Sequence, residues 1–423
     1  MLKAKEIREL VDANILTKDQ EQRILDFYST NKSASSNRLF IVFGILGALL
    51  AGLGIILILA HNWDQFTRPL KTVIAFLPLL AAQVCCLFVV LKKHGDTAWS
   101  ESSAVLLILA FGAAIALISQ IYHIPGDFGY FLRIWIWVSI PLIYILRSSM
   151  AALLCVTGIT VYALHQSIDN GNPYLYWVFL LCVLPHYFYL IGKNIQRNFL
   201  NFLHWMIPAS IAIALATVSD QYEEYMVIGF MSLFSLYLFF GDYLQQKGTP
   251  ISSMGYLIIG FTGTIVILLI LSYNSFFTHT EQSSWSTLIW QPEILVSLII
   301  TLVTVIALTV NRKRSANPII QLLKPVFLVF IPLFFLAMYS PAGVFLINVL
   351  IVLIGIRIIL LGYRADHLGY LNIGLLILVL LSLCRFFDTG ISFIIRGILF
   401  LSAGTGFFLM NYRMLKNRKT NAE

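Results

Sequence analysis

Long apolar segments follow one another along almost the whole 423-residue chain, and this succession restricts the fold more than any other feature. A helix of about 20 apolar residues spans the roughly 30 Å of hydrocarbon in a bilayer. Helix is required there because lipid offers no partner for backbone N–H and C=O groups. Only 11% of the residues are charged, whereas soluble domains carry about 25%. The sequence therefore predicts an all-α polytopic transmembrane helix bundle.

The positions of the apolar segments predict about fourteen spans and five parts of the chain. The predicted spans are 39–61, 69–91, 102–122, 128–146, 149–165, 174–192, 199–218, 223–245, 252–273, 290–310, 319–339, 342–362, 367–385 and 390–411. The predicted parts are a cytoplasmic amphipathic helical pair (1–37), a first transmembrane block (38–218), a linking span (219–251), a second transmembrane block (252–412) and a basic cytoplasmic tail (413–423).

Lysine and arginine are distributed unevenly between the two predicted faces of the membrane. Of 28 such residues, 22 fall in the N-terminal segment, in loops on the same face or in the C-terminal tail, and Lys324 is counted among them. Only Arg68, Lys71 and Arg385 fall on the other face, and three more lie within spans. Because cytoplasmic loops carry an excess of Lys and Arg, both termini are predicted to be cytoplasmic. Anionic lipid at that face explains the net charge of +8, so nucleic acid is not a predicted partner.

Short similarities between the two halves predict a parallel internal repeat. Residues 58–62 resemble 270–274, and residues 121–126 resemble 338–343, at offsets of 212 to 217. The repeat would consist of two blocks of six spans with two linking spans between them. Internal repeats are common in transporter folds, which place their sites at the repeat interface.

The polar N-terminal segment contains helix signals of its own. Thr17 with Gln20 three residues later is typical of a capping box, which would begin the second of two short amphipathic helices. Such a pair could pack on the membrane surface or on a second copy of the chain. Docking or homo-oligomerisation is therefore its predicted use.

Polar and ionisable residues near the outer ends of the spans form the predicted ligand-binding site. A charge inside a span is costly and is a functional candidate by default, and the arginine fork suits phosphate or carboxylate. The hypothesis is a pocket for an anionic lipid headgroup or solute; the alternative is that Arg133 pairs with Asp127 or Asp64, and Arg396 with Asp388, only to hold helices together. The candidate residues are His61, Asn62, Asp64, Gln120, His123, Asp127, Arg133, Arg385, Asp388 and Arg396.

Motifs of soluble catalysis are not found in the sequence. It contains no H-E-x-x-H, P-loop, G-x-S-x-G or dinucleotide-binding fingerprint. All five cysteines fall within apolar segments and none forms a C-x-x-C pair. We therefore predict no catalytic residue, no metal and no cofactor, and the histidines His186 and His204 are expected to be core residues with hydrogen-bond partners.

Several motifs of the first third occur together in one known family. They are the glycine-containing segment 47–54, the sequence Ala60-His61-Asn62-Trp63-Asp64, the helix from Gly112 to Gln120, the turn from Gln120 to Asp127, and Trp135. With these motifs, residues 44–150 resemble the bacterial membrane proteins classified as domain of unknown function 2157. The resemblance implies a multi-pass protein of the bacterial cytoplasmic (inner) membrane and implies no activity.

Three functions follow as hypotheses from these features. The first is a transporter-like or lipid-handling protein that exposes a polar cavity between two six-helix blocks. The second is a non-catalytic scaffold or sensor that recruits a partner through the N-terminal helices. The third is a transferase for a lipid-linked substrate, for which Asp64 in the first outer loop is a partial match and the short outer loops are unfavourable.

Overall fold

The structure, a computed structural model, describes most of the chain between residues 63 and 386 and a few isolated residues before 24 and after 393. The gaps within 63–386 are at 94, 169–170, 172, 194–196, 219–221, 249–253, 279–289, 311–314 and 316. The chain divides into two compact units, Met1–Phe76 and Leu77–Glu423. The predicted span at 39–61 and most of that at 390–411 lie outside the described residues.

The described residues form α-helices and a single 3-10 turn at Trp63–Gln65, without a strand. The helices are α1 (Arg68–Lys92), α2 (Thr97–Tyr122), α3 (Phe128–Ile145), α4 (Ser149–Ile168), α5 (Tyr174–Lys193), α6 (Arg197–Ala216), α7 (Glu223–Gln246), α8 (Gly255–Ile270), α9 (Ser275–Thr278), α10 (Pro292–Val310), α11 (Pro318–Leu323), α12 (Val326–Tyr339), α13 (Pro341–Arg364) and α14 (Leu368–Phe386).

Eleven of the described helices are long and apolar enough to cross a membrane when α11 and α12 are taken as one segment, and α8 is a shorter apolar helix. The prediction of a polytopic helix bundle is confirmed. The segment predicted at 149–165, the shortest of the set, is the 20-residue helix α4. Large apolar side chains remain exposed along the outer sides of the helices, as expected where lipid replaces water as the solvent.

Side-chain caps explain where several helices begin. Asp96 accepts hydrogen bonds from the backbone N–H groups of Ala98 and Trp99 at the start of α2. Ser340 caps α13 in the same way, and Pro341 occupies its first turn. These caps satisfy N–H groups that have no partner within the helix. Each cap therefore fixes the residue at which a helix begins after a short connection.

Helix α7 is the most deeply buried helix among those described. Buried side chains make up 67% of its apolar window, compared with 17% for α10. Met226, Leu233 and Tyr237 of α7 belong to a core formed with α1 to α6. Tyr225 and Met231 belong to a second core formed with α8 to α14. Helix α7 therefore contributes to each of these two hydrophobic cores.

Helices α13 and α14 approach each other closely through glycine. A Cβ atom added to Gly374 would lie 2.7 Å from the carbonyl oxygen of Gly355, and one added to Gly362 would lie 2.4 Å from the backbone nitrogen of Leu371. Small residues permit such backbone contact in membranes, where packing drives helix association. A larger side chain at either position would push the two helices apart.

In the N-terminal unit, the predicted capping box is confirmed. The backbone N–H of Thr17 donates to Gln20 Oε1 at 2.9 Å, and the backbone N–H of Gln20 donates to Thr17 Oγ1 at 3.3 Å. Asp19 and Arg23 form an exposed ion pair one turn apart. Whether this segment docks on another surface stays a prediction, as do the five-part division and the internal repeat.

Candidate functional site

Polar side chains converge where the first turns of α3 meet the last turns of α4. We call Asp127, Arg133, Tyr162, His165 and Gln166 the Arg133 cluster. A Cβ atom added to Gly129 would lie 2.8 Å from Gln166 Oε1, 3.4 Å from His165 Nδ1 and 3.8 Å from Asp127 Oδ1. Glycine is therefore the residue that leaves room for three polar side chains over this turn of α3.

Arg133 is half-buried in α3, about 7.5 Å beyond the first residue of the helix at 1.5 Å per residue. Its guanidinium carbon lies 5.5 Å from the centre of the Tyr130 ring. Its Nε atom is buried and has no hydrogen-bond partner. Among the described residues from Leu77 onward, no carboxylate forms an ion pair with it. The predicted structural pairing of Arg133 with Asp127 is therefore not present.

Asp127 stands at the exposed end of the cluster. It is the N-cap of α3, and its Oδ1 accepts a hydrogen bond from the backbone N–H of Tyr130. The buried hydroxyl of Tyr162 lies within electrostatic range of both Asp127 and Arg133. The two opposite charges thus lie near the same hydroxyl group without touching each other.

Two more of the predicted site residues lie on the connection that leads into α3. Gln120 is exposed in the last turn of α2, and His123 is the C-cap of that helix. His123 adopts a left-handed conformation, with φ of 49°, which turns the chain toward Asp127. Gln120, His123 and Asp127 therefore lie at the junction of α2 and α3, and Arg133 follows in the second turn of α3.

Arg385, in the last turn of α14, contacts residues that follow the C-terminal end of α8. Its guanidinium donates to Ser272 Oγ at 2.9 Å and lies 4.7 Å from the centre of the Tyr273 ring. Asn348 donates to the carbonyl oxygen of Ser272 at 3.1 Å. A cation is favourable there because the last carbonyl groups of a helix carry partial negative charge. None of these contacts joins Arg385 to the Arg133 cluster.

The remaining predicted site residues lie in the N-terminal unit or outside the described part of the chain. Asp64 is exposed in the 3-10 turn of the N-terminal unit. Four of the predicted residues lie outside the described part of the chain, so the alternative pairing of Arg396 with Asp388 lies outside it too. Those four are His61, Asn62, Asp388 and Arg396.

Trp135, which carries part of the family resemblance, fills a slot between α2 and α4. Its indole N–H donates to the carbonyl oxygen of Ile108 at 2.8 Å. A Cβ atom added to Gly112 would lie 3.1 Å from Trp135 Nε1, and one added to Gly158 would lie 2.8 Å from Trp135 Cζ3. The glycine at position 112 and the tryptophan thus form one packing unit that holds three helices together.

Residues 8–153 match the family model described as "Predicted membrane protein (DUF2157)". The matched segment is the N-terminal third of the chain, as the sequence motifs predicted. It includes Gly112, Asp127, Arg133 and Trp135, and it ends before Tyr162, so the match covers only the α3 side of the Arg133 cluster. No curated protein and no solved structure matches the chain.

A buried ion pair between α7 and the α11–α12 junction was missed by the sequence analysis. Lys324 Nζ donates to Asp242 Oδ2 at 2.6 Å, and both side chains are buried. Ser315 and Gln246 donate further hydrogen bonds to Asp242. Lys324, counted as a loop cation from the sequence, lies in the turn between α11 and α12 and is buried there. Its sequence neighbours could not reveal its partner, because Asp242 lies 82 positions away.

A buried carboxylate that joins α2 to α4 was also missed. Glu101 accepts hydrogen bonds from the backbone N–H groups of Ser149 and Met150 at 2.9 and 2.8 Å, and from the hydroxyl of Ser148. Unpaired N–H groups and the helix dipole make a helix N-terminus favourable for an anion. Ser149 also lies 3.2 Å from Nε2 of His186, so that histidine has the partner expected of it.

Tyrosines supply several further buried polar contacts between helices of the first core. The Tyr187 hydroxyl lies 2.7 Å from Nδ1 of His204, which confirms that this histidine has a partner. The Tyr237 hydroxyl donates to the carbonyl oxygen of Pro208 at 2.8 Å, and Tyr176 lies 2.8 Å from Ser210 Oγ. Each hydroxyl therefore joins two helices of the bundle, which is a packing role.

Proposed function

We propose that this multi-pass membrane protein is transporter-like or lipid-handling and binds an anionic group at Arg133. With both termini in the cytoplasm of a bacterial cell, as the charge distribution predicts, the Arg133 cluster would face the outer leaflet of the inner membrane. The anionic group would be a phosphate or carboxylate of a lipid headgroup or of a solute. The single observation that carries the proposal is the half-buried guanidinium of Arg133 without a carboxylate partner among the described residues.

An arginine inside a spanning helix costs about 2.5–3.5 kcal/mol at the helix centre on insertion scales, so it is normally paired or functional. Lys324 and Arg385 follow this rule, because each has polar partners close by. Arg133 has the ring of Tyr130 beside it, and its guanidinium donates no hydrogen bond to another described residue. An anion that accepts hydrogen bonds from the planar guanidinium of Arg133 would give this arginine a partner as well.

The direct test compares Arg133→Gln with Arg357→Gln. Arg357 is exposed on α13 and therefore serves as a matched arginine within another span. Purified proteins are titrated with phosphatidylglycerol in nanodiscs or by native mass spectrometry. A lost charge-assisted hydrogen bond of about 1.5–3 kcal/mol predicts roughly 10- to 100-fold weaker binding for Arg133→Gln.

The control variant should bind as the unaltered protein does. Thermal unfolding of Arg133→Gln should stay close to that of the unaltered protein, because among the described residues Arg133 makes neither an ion pair nor an Nε hydrogen bond. Equal phosphatidylglycerol binding by all three proteins would refute the anion site. The hypothesis of a non-catalytic scaffold or sensor would then be favoured.

A further inference from the structure

We propose that the ligand of the Arg133 cluster is zwitterionic, with its anionic group at Arg133 and its ammonium group at Asp127. This inference rests on the proposed function, since it assigns the second half of the same site. The chemistry is that of an ethanolamine phosphate headgroup, in which two carbons separate phosphate from ammonium. A free solute with the same charge pattern would share it.

The first argument is the order of the charges along α3. Asp127 immediately precedes the helix and is exposed, whereas Arg133 lies six residues farther along and is half-buried. The helical rise of 1.5 Å per residue separates their backbones by about 9 Å along the axis. An amino phospholipid has the same order, because its phosphate lies deeper in the membrane than its ammonium group.

The second argument is the gap between the two charges. Side chains on a helix lean toward its N-terminus, and the guanidinium of Arg133 accordingly lies over the ring of Tyr130, on the Asp127 side of its own position along the axis. The two charges still form no ion pair, although both act on the hydroxyl of Tyr162. A ligand with an anion and a cation a few bonds apart would bridge this gap and neutralise both.

The third argument concerns what surrounds the gap. Asp127 uses Oδ1 as the cap of α3, and a carboxylate has capacity for further donors through its other oxygen. Gln166 Oε1 and Asp127 Oδ1 both lie over the turn of α3 that contains Gly129. An amide oxygen and a carboxylate oxygen are both acceptors for an ammonium group. A purely anionic ligand would gain from Arg133 and would be repelled by Asp127. The cluster should therefore select zwitterions over anions.

A lipid is the source that the flanking surface favours. Phe128, Tyr130 and Trp137 project from α3 with 49%, 55% and 51% of their surface exposed. Phe128 also stacks on Phe131 at 5.8 Å between ring centres. Aromatic and apolar side chains beside a charged pair would accommodate acyl chains next to the headgroup.

The test measures selectivity between phosphatidylethanolamine and phosphatidylglycerol in Asp127→Asn. Asparagine caps a helix as well as aspartate does, so α3 should remain intact. Asp96→Asn is the matched control, because Asp96 caps α2 in the same way. We expect the unaltered protein and Asp96→Asn to prefer phosphatidylethanolamine, and Asp127→Asn to lose roughly tenfold of that preference while keeping or improving phosphatidylglycerol binding.

Arg133→Gln in the same experiment separates the two proposals. If it weakens both lipids while Asp127→Asn leaves their ratio unchanged, the zwitterion inference is overturned and the anion site stands. No preference for phosphatidylethanolamine in the unaltered protein would also overturn the inference. If Arg133→Gln weakens neither lipid, the proposed function itself fails.

The source of the zwitterion is settled by competition with soluble O-phosphoethanolamine. Displacement of bound phosphatidylethanolamine at millimolar concentrations of the competitor supports a zwitterion site open to free solutes. Retention of the lipid, combined with the Asp127-dependent selectivity, supports a site for the headgroup of an intact lipid.

Discussion

Ionisable residues inside the bundle differ in whether their charged groups have polar partners. Asp242 and Lys324 neutralise each other in the interior, and Glu101 is neutralised by the N-terminus of α4. Arg133 is the contrasting case, with a buried Nε that has no partner. Burying a charge is costly unless it is paired and hydrogen-bonded. The contrast separates residues that stabilise the fold from a residue that is available to a ligand.

The Asp242–Lys324 pair allows a test of that separation. Breaking a buried pair by removing one partner typically costs about 3–5 kcal/mol, because the other charge is left uncompensated. Lys324→Met should therefore lower the thermal stability of the purified protein strongly, and Asp242→Asn should also lower it. The double variant should be more stable than the sum of the single losses predicts, as measured by a double-mutant cycle. Strictly additive losses would contradict the importance of the pair.

The sequence predicted the limits of the helices well, but it did not predict which residues of different helices contact each other. Each described span lies within a few residues of its predicted limits, because hydropathy reports directly on burial in lipid. The predicted start at residue 102 excluded Glu101, although α2 begins at Thr97. A charged residue looks like a helix boundary until its partner is known, and that partner lies on α4, 48 positions away.

Only part of the candidate site could be predicted from the sequence. Gln120, His123, Asp127 and Arg133 could be grouped from the sequence because they lie within fourteen consecutive positions. Tyr162, His165 and Gln166 could not, because their approach to Asp127 depends on how α3 packs on α4. Arg385 was grouped with the first four of these residues by its level in the membrane, whereas its contact with Ser272 depends on how α14 packs on α8.

Glu101 offers a prediction about the packing of α2 on α4. Glu101→Gln keeps the shape of the side chain but leaves one oxygen to accept the hydrogen bonds of Ser149 N and Met150 N. Losing a hydrogen bond to a charged, buried group costs about 1.5–3 kcal/mol. Hydrogen exchange should therefore accelerate at the first amides of α4. Glu223→Gln, in the exposed first turn of α7, should leave those amides unchanged; equal exchange in both variants would contradict a role for Glu101.

The topology of the whole molecule depends on whether α8 crosses the membrane. Helix α8 has 16 residues, so its length is about 24 Å at 1.5 Å per residue, less than the roughly 30 Å of hydrocarbon. If α8 crosses the membrane, the loop after α13 lies on the cytoplasmic face with Arg364. If it does not, every later loop is inverted and the positive-inside distribution fails for the second half. The charge distribution therefore predicts that α8 crosses.

Cysteine labelling tests this parity with three exposed positions. Lys93→Cys lies before α2, Ile124→Cys lies between α2 and α3, and Ala365→Cys follows α13. In a background without the five native cysteines, a membrane-impermeant maleimide added to intact cells should label only Ile124→Cys. All three should react once the membrane is permeabilised. Labelling of Ala365→Cys in intact cells, with Lys93→Cys still protected, would mean that α8 enters the membrane without crossing it, and the number of spans would then be odd.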